Sequence, residues 1–385
     1  MEPQSEMRTP GSPPHDSTDA PMPQNAASLP LRNEPRDLSW ILIGGQGLRA
    51  GWAALLFVAL YYLILPVLDT IAISIDPALA LNDYAPATVF IAELLPVLAI
   101  LCAGLFLSRI EHRHFLDYNL AGPRRIFNFV TGLCTGFGAL SFLIGALSLG
   151  GWLHFSPAAL TTAQALKYGA IWAIAFLLVG CAEEGSFRCF LQFTLTRGIN
   201  FWWALATVSA TCLVVSLRPQ SSGANGAYCA AALGLIPCWL LHRAKAEGAG
   251  FWQAAWATSM VFGSYHTVNH GETSVGIFAA ALIGFVFCIS VRVTGSAWWA
   301  IGCHAAWDWA ETFFYGTADS GFPAQHHFLN VTASGNPLWN GGADGPEGSL
   351  LVVPVTLLLA ALLLVVYKRN PPYTQLEPAA NRLAG

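Results

Sequence analysis

Ten stretches of this chain are apolar for long enough to suggest helices crossing a bilayer, and that leaves few folds open. They lie approximately at 50–75, 88–108, 127–149, 168–191, 201–217, 227–241, 252–268, 274–291, 297–314 and 350–367. A hydrocarbon core about 30 Å thick takes about 20 apolar residues per helix. In lipid, each backbone N–H and C=O must be satisfied internally, which helices do within their own segment. The expectation is an all-α, polytopic helical membrane protein of about 8 to 10 transmembrane helices enclosing a polar intramembrane cavity. The sixth window is the weakest, since 227–241 is short even for a thin bilayer. Composition agrees: 55% of residues are hydrophobic and 10% charged, more apolar than a soluble domain needs.

Residues 1–48 differ in kind. Stretches such as GSPPHDSTDAPMPQN have no periodicity and cannot build a core. They read as a disordered cytoplasmic tail, and no cleavable signal peptide is expected because the first apolar run begins late. The rare basic residues set the orientation. Arg8, Arg32, Arg36 and Arg49 precede the first window, and Arg109, Arg113, Arg124 and Arg125 follow the second. Arg243 and Lys245 follow the sixth, Arg292 the eighth, and Lys368 and Arg369 the last, whereas 76–87, 150–165 and 315–349 carry almost none. Ten spans with both termini cytoplasmic fit this pattern, with Lys167 and Arg218 as exceptions, and place the chain as a multi-pass protein of the inner (cytoplasmic) membrane. Nine cysteines are scattered without a CxxC pair, so neither a disulfide framework nor a cysteine metal site is expected.

Charges inside the windows need a reason, because each uncompensated one costs about 2.5–3.5 kcal/mol at a helix centre on an insertion scale. CAEEGSFRCF, residues 181–190, puts Glu183, Glu184 and Arg188 in the fourth window. On a helix Glu184 and Arg188 share a face, and Glu183 points about 100° away. All three could form one buried salt-bridge cluster; alternatively Glu184 and Arg188 hold the helix while Glu183 is free for chemistry. FGSYHTVNHGE, residues 262–272, adds His266 and, one turn on, Asn269 and His270. CHAAWDWAE, residues 303–311, adds His304, Asp308 and Glu311 on one face by the same spacing. A lone intramembrane His is often only a helix-to-helix hydrogen bond. Polar groups from three spans find each other most economically in one cavity lined by spans four, seven and nine.

Such a cavity holds the equipment for amide hydrolysis. A carboxylate and an imidazole can take a proton from water, directly or with bound Zn²⁺, and a second His beside an Asp can donate to the oxyanion. Ser186 lacks a nucleophile-elbow setting, and Cys189 reads as apolar filler.

The three stretches resemble the intramembrane CAAX-processing and bacteriocin-processing proteases, the CPBP or abortive-infection family. Its pattern is a glutamate pair followed after three residues by Arg, then Phe-x-x-x-His, then His-x-x-x-Asn or Asp. Here these are Glu183, Glu184 and Arg188, then Phe262 and His266, then His304 and Asp308. The resemblance, over roughly residues 85–370 and nearest a bacterial subgroup, implies Glu183 as water-activating base, His266 as its assistant, and His304 with Asp308 on the oxyanion side. Glu184, Arg188, Phe262 and Asn269 would be supporting residues. It further implies N-terminal transmembrane helices at 49–126, a catalytic core at 127–315 and an extracytoplasmic loop at 316–349. A last span at 350–370 and a cytoplasmic tail at 371–385 follow. One departure is a second opening similar to GINFWWA about fifty residues on, GAGFWQAAWATSMVFGSYH. Residues 199–250 therefore read as a family-atypical insertion, a hairpin of two spans.

Family members are labelled metalloproteases, although a zinc-free glutamate mechanism also fits the prenyl-protein proteases. Zinc, if bound, would take Glu183, His266 and His304 with a water as fourth ligand. HTVNH lacks the Glu of HExxH, so no cofactor is certain and direct water activation is the expectation. The expected partner is a membrane-embedded or lipidated peptide or protein, in contact with membrane lipid. The absence of a Rossmann or P-loop signature and the formal charge of −4 argue against nucleotides and nucleic acids. A transporter using the buried charges, or a catalytically inactive scaffold or immunity protein, are the alternative readings. His326, His327, Asp344 and Glu347 read as part of a solvated loop.

Overall fold

A computed structural model describes residues 39–44, 47–81, 84–157, 160–218, 223–269, 271–323 and 325–367. Most of the expected N-terminal tail, the expected 371–385 tail, Lys368, Arg369 and His270 lie outside the described residues. The chain divides into two units, Met1–Ile41 and Leu42–Gly385. Of the first, residues 39–41 are described and helical. The second begins with a two-residue hairpin pairing Ile43–Gly44 with Gly47–Leu48.

Its frame is helical, as expected. In chain order the helices of twelve or more residues are α1 (Ala50–Ile75), α2 (Pro86–Ile110), α3 (Arg125–Leu149), α4 (Thr162–Glu184), α5 (Phe201–Ser216) and α6 (Ala224–Arg243). They continue with α7 (Ala249–Tyr265), α8 (Ser274–Thr294), α9 (Trp298–Trp309) and α10 (Val352–Val366). Among the described residues six are long and apolar enough to cross a membrane: α1, α2, α3, α6, α8, and α4 with its continuation to Thr196. α5 and α10 are shorter apolar helices. The weak sixth window thus belongs to a helix of 20 residues, because its polar flanks continue the helix beyond the apolar run. Large apolar side chains such as Leu63, Val67, Phe142, Leu213 and Leu358 are exposed, which a lipid-facing surface explains and a water-facing one does not.

Local chemistry sets several helix ends. Thr161 and Gln164 form a reciprocal capping box at the start of α4. Asn200 accepts from the N–H groups of Trp202 and Trp203 to start α5, and Thr273 caps α8. α8 stops at Gly295, whose φ of 81° a residue with a Cβ rarely adopts.

Connections gather at two ends of the bundle. At one, Arg197 pairs with Glu111 at 2.6 Å, Tyr118 donates to Glu111 at 2.7 Å, and Ala297 N–H bonds Asn119 O. At the other, β1 (Leu153–Pro157) pairs antiparallel with β2 (Leu329–Ala333), and Arg218 donates to Thr267 at 2.6 Å. Connections after even-numbered helices meet at the first end and those after odd-numbered helices at the second, as alternate crossing requires.

α9 is held deep in the bundle by close backbone approach. A Cβ at Gly132 or Gly136 of α3 would collide with the backbone of Trp299 or Cys303, and one at Gly302 with that of Phe129. Small residues spaced four apart let two helix axes close in without an intervening side-chain layer. The helix that carries His304 and Asp308 is fixed in this way.

Candidate active site

The helix through the glutamate pair is α-helical to Glu184 and then widens to a π turn, Gly185–Leu191, before resuming at Gln192–Thr196. Widening leaves backbone carbonyls without their usual i+4 partner, and Asn119 Nδ2 donates to the Arg188 carbonyl at 2.7 Å. Such turns recur at functional sites, and nothing in the residue spacing announced this one.

Glu184 and Arg188 nevertheless pair. Arg188 Nη1 donates to Glu184 Oε1 at 3.2 Å, and its Nε lies 3.1 Å from Oε2. Both are buried, at 0% and 1% exposure. The guanidinium lies over the Phe262 ring at 4.2 Å and near Phe287 at 5.3 Å, a geometry in which the ring faces attract the cation.

His304 is the hub. Its Nδ1–H donates to Glu184 Oε1 at 2.9 Å. That bond turns Nε2 toward Glu183 Oε2 at 3.7 Å and Asp308 Oδ2 at 3.5 Å, while the ring stacks on Phe287 at 5.6 Å. His266 stands just past the end of α7, in a tighter turn, His266–Val268, instead of in a continuing α-helix. Its Nδ1–H donates to Phe262 O at 2.9 Å, so in the neutral ring Nε2 is the acceptor nitrogen. The Phe262 ring is 4.8 Å from His266 and 6.3 Å from His304.

A cavity of about 690 Å³ is lined by Glu183, His266, Asn269, His304 and Asp308, with Phe262 and Ser186 in its wall. Every residue that the sequence led us to expect in a catalytic or supporting role, apart from the Glu184–Arg188 pair behind the wall, lines it. Glu93 of α2 and Tyr61 of α1 line it too. Sequence reasoning passed over Glu93, although a lone carboxylate inside an apolar window carries the same desolvation argument as the glutamate pair.

Glu311 does not join His304 and Asp308 in the cavity lining. The chain widens to a second π turn at Ala310–Tyr315, and the Glu311 carboxylate accepts from Trp307 Nε1 at 3.1 Å, outside the lining that His304 and Asp308 share. The loop that follows is exposed over much of 322–339, His326 included, as its composition suggests, but its acids are not. Asp344 is 1% exposed, and Asp319, Ser320, Asp344 and Glu347 all line the cavity. His326 stacks on Tyr168 at 4.1 Å and His327 bonds Asn330 at 2.8 Å, so both have structural contacts.

Glu272, before α8, meets Asp344 over Gly276, where any Cβ would collide with both carboxylates. Burial, then the Asp344 charge, pushes Glu272 up to about 9. Burial, then the Glu347 charge, pushes Asp344 up to about 8. In the docked loop the pair therefore keeps protons that free carboxyls lose near pH 4. Its contribution to docking is full below about pH 4 and is lost as pH rises through 8 to 9. Hydrogen exchange over 337–348, corrected for its intrinsic pH dependence, is expected to quicken across that window. Glu272→Gln, which cannot ionise, is expected to flatten the profile; a rise with pH of the same size in that variant would refute the assignment.

Among the described residues, three acids whose ligand oxygens all lie within 4.8 Å of one another are Glu311, Asp319 and Glu347. Glu183, His266 and His304 do not close to that degree.

A family model described as "Type II CAAX prenyl endopeptidase Rce1-like" matches residues 238–310. The match takes in Phe262, His266, His304 and Asp308 and leaves out Glu183, Glu184 and Arg188. No curated protein and no solved structure matches the chain. Residues 238–310, part of a polytopic helical chain, carry a CAAX-protease-like family domain.

Proposed function

We propose that this chain is an intramembrane endopeptidase that hydrolyses a peptide bond in a membrane-associated or lipidated protein or peptide. The observation that carries the reading is His304, whose Nδ1 is fixed by Glu184 while Nε2 lies 3.7 Å from Glu183 and 3.5 Å from Asp308 at the wall of one cavity. In this reading Glu183, assisted by His266, takes a proton from water and the hydroxide attacks the scissile carbonyl carbon. The C=O electron pair moves to oxygen, and His304, protonated on both ring nitrogens with Nδ1–H held by Glu184 and Nε2–H oriented with Asp308, donates Nε2–H to that oxyanion. Collapse breaks the C–N bond, and the proton held on Glu183 passes to the leaving amine. Glu184 and Arg188 position His304; Phe262 packs beneath Arg188, and Asn269 offers a polar group at the cavity wall.

Catalytic zinc at Glu183, His266 and His304 is not supported by the donor geometry. The three do not converge on one point, and one His304 nitrogen is already given to Glu184. No step is therefore assigned to a metal. The core 127–315, the insertion 199–250, the extracytoplasmic assignment of 316–349 and the ten-span inner-membrane topology with cytoplasmic termini are part of the same proposal. The antiparallel helices α5 and α6 and the alternating ends of the bundle support it.

A panel of labelled membrane and lipidated peptides, offered to purified protein in lipid nanodiscs, tests the activity. Cleavage of at least one peptide is expected, and it should survive a zinc-selective chelator. No cleavage across a broad panel would favour a binding scaffold. Activity stopped by that chelator and restored by stoichiometric zinc would overturn the metal-free step.

A further inference from the structure

Three carboxylates gather where the helix carrying His304 passes into the loop 316–349. Glu311 comes from the π turn after α9, Asp319 from the first bend of the loop, and Glu347 from the short turn Pro346–Gly348. Their ligand oxygens all lie within 4.8 Å of one another. Among the described residues only neutral donors reach them. Trp307 Nε1–H is shared between Glu311 Oε2 at 3.1 Å and Glu347 Oε1 at 2.8 Å. Ser320 donates to Glu347 Oε2 at 2.8 Å, and Thr312 to Asp319 Oδ2 at 2.9 Å. Among the described residues no Lys or Arg pairs with any of the three.

A second observation is independent of the clustering. Glu311 is 0% exposed, and among the described residues its Oε1 has no hydrogen-bond partner. A buried carboxylate oxygen without a donor forfeits its hydration for nothing unless something positive meets it. The Glu311 backbone cannot relax away, because its carbonyl accepts both Thr317 N–H and Thr317 Oγ1 at 3.0 Å.

The geometry points to a hard divalent-cation site formed by Glu311, Asp319 and Glu347, which fastens the 316–349 loop to the end of the helix that carries His304. The donor set is all oxygen, which suits calcium, magnesium or manganese and offers nothing to a softer metal. Calcium bonds of about 2.3–2.6 Å allow two ligand oxygens to stand up to about 5 Å apart, so the observed separations fall within its reach. Ser320 and Thr312 already hold the outer oxygens of two ligands, as oriented carboxylates in metal sites are held. Asp319, Ser320 and Glu347 also line the cavity, so the ion would set the position of one cavity wall whatever reaction the cavity supports.

The test uses the full chain in nanodiscs, stripped with a chelator and titrated with Mn²⁺ by electron paramagnetic resonance, with Ca²⁺ and Mg²⁺ as competitors. One saturable Mn²⁺ per chain, displaced by Ca²⁺, is expected. Glu311→Gln should weaken it about tenfold or more, and Asp76→Asn, at an exposed acid far along the chain, should not. Thermal melting gives a sign reversal: in chelator Glu311→Gln relieves repulsion and melts above wild type, whereas in calcium it melts below. Should that variant fail to fold, wild-type hydrogen exchange decides, since calcium must slow exchange in 316–349 and leave 111–124 unchanged. No saturable site at millimolar Mn²⁺, unaltered binding in both Glu311→Gln and Glu347→Gln, or calcium-independent exchange in 316–349 overturns the site.

Discussion

Glu183→Gln is expected to abolish peptide cleavage while leaving the melting temperature of the purified protein nearly unchanged. A positioned general base contributes about 10²–10⁴-fold, so the rate constant should fall by that order with substrate binding retained. The fold should survive because the ionic contact of Glu183, to His304 Nε2 at 3.7 Å, is duplicated by Asp308 at 3.5 Å. Among the described residues its Oε2 has no hydrogen-bond partner, the Arg188 charge is met by Glu184, and His304 is oriented by Glu184 through the other ring nitrogen. Single-turnover cleavage and thermal melting, measured on the same preparation, check both halves. Retained turnover would remove Glu183 from the chemistry, and a collapse of stability would make it a structural residue instead.

Glu184→Gln should show the opposite emphasis. Arg188 would remain 1% exposed with its counter-charge gone, and breaking a buried pair by removing one partner costs about 3–5 kcal/mol. That is a large share of the roughly 5–15 kcal/mol that separates folded from unfolded states in typical domains, so the yield of folded protein and its detergent stability should drop together. Activity should fall as well, because His304 loses the carboxylate that holds Nδ1–H and orients its ring. Arg188→Met is expected to destabilise to a similar degree, since it strands the Glu184 charge from the other side. If Glu183→Gln and Glu184→Gln behaved alike in melting and yield, the division between a reacting and a positioning glutamate would be refuted.

The contrast between the two glutamates was readable in the linear order. Three residues separate Glu184 from Arg188 and a fourth-residue offset faces them together, even though the turn that joins them proved to be π-helical. Glu311 is the counter-example. The same counting aligned it with His304 and Asp308, yet at the start of a π turn it meets Asp319 and Glu347 and stays out of the lining that His304 and Asp308 share. Counting works only while the helix keeps 3.6 residues per turn, and a one-residue widening depends on what packs beside it.

Apolar run length determined the helices. The first window coincides with Ala50–Ile75, and the fifth and eighth start at the residues their helices do, Phe201 and Ser274. Hydropathy and capping are local properties, so the sequence states them directly. The sequence also marked its costly charges, Glu183, Glu184, Arg188, His266, His304 and Asp308, because a charge in an apolar window is unexplained without a partner. Which partner each finds is a long-range fact. That His304 reaches Glu184 and Glu183 depends on how close α9 sits to α3 and α4. Glycines at 132, 136, 180 and 302 permit that approach, but they do not announce which backbone they meet. Asp344 and Glu347 look like ordinary loop acids among Gly and Pro, where composition predicts water. Only the folded chain brings that loop back over the open end of the bundle, removes the water, and turns solvated carboxylates into buried ones beside the cavity.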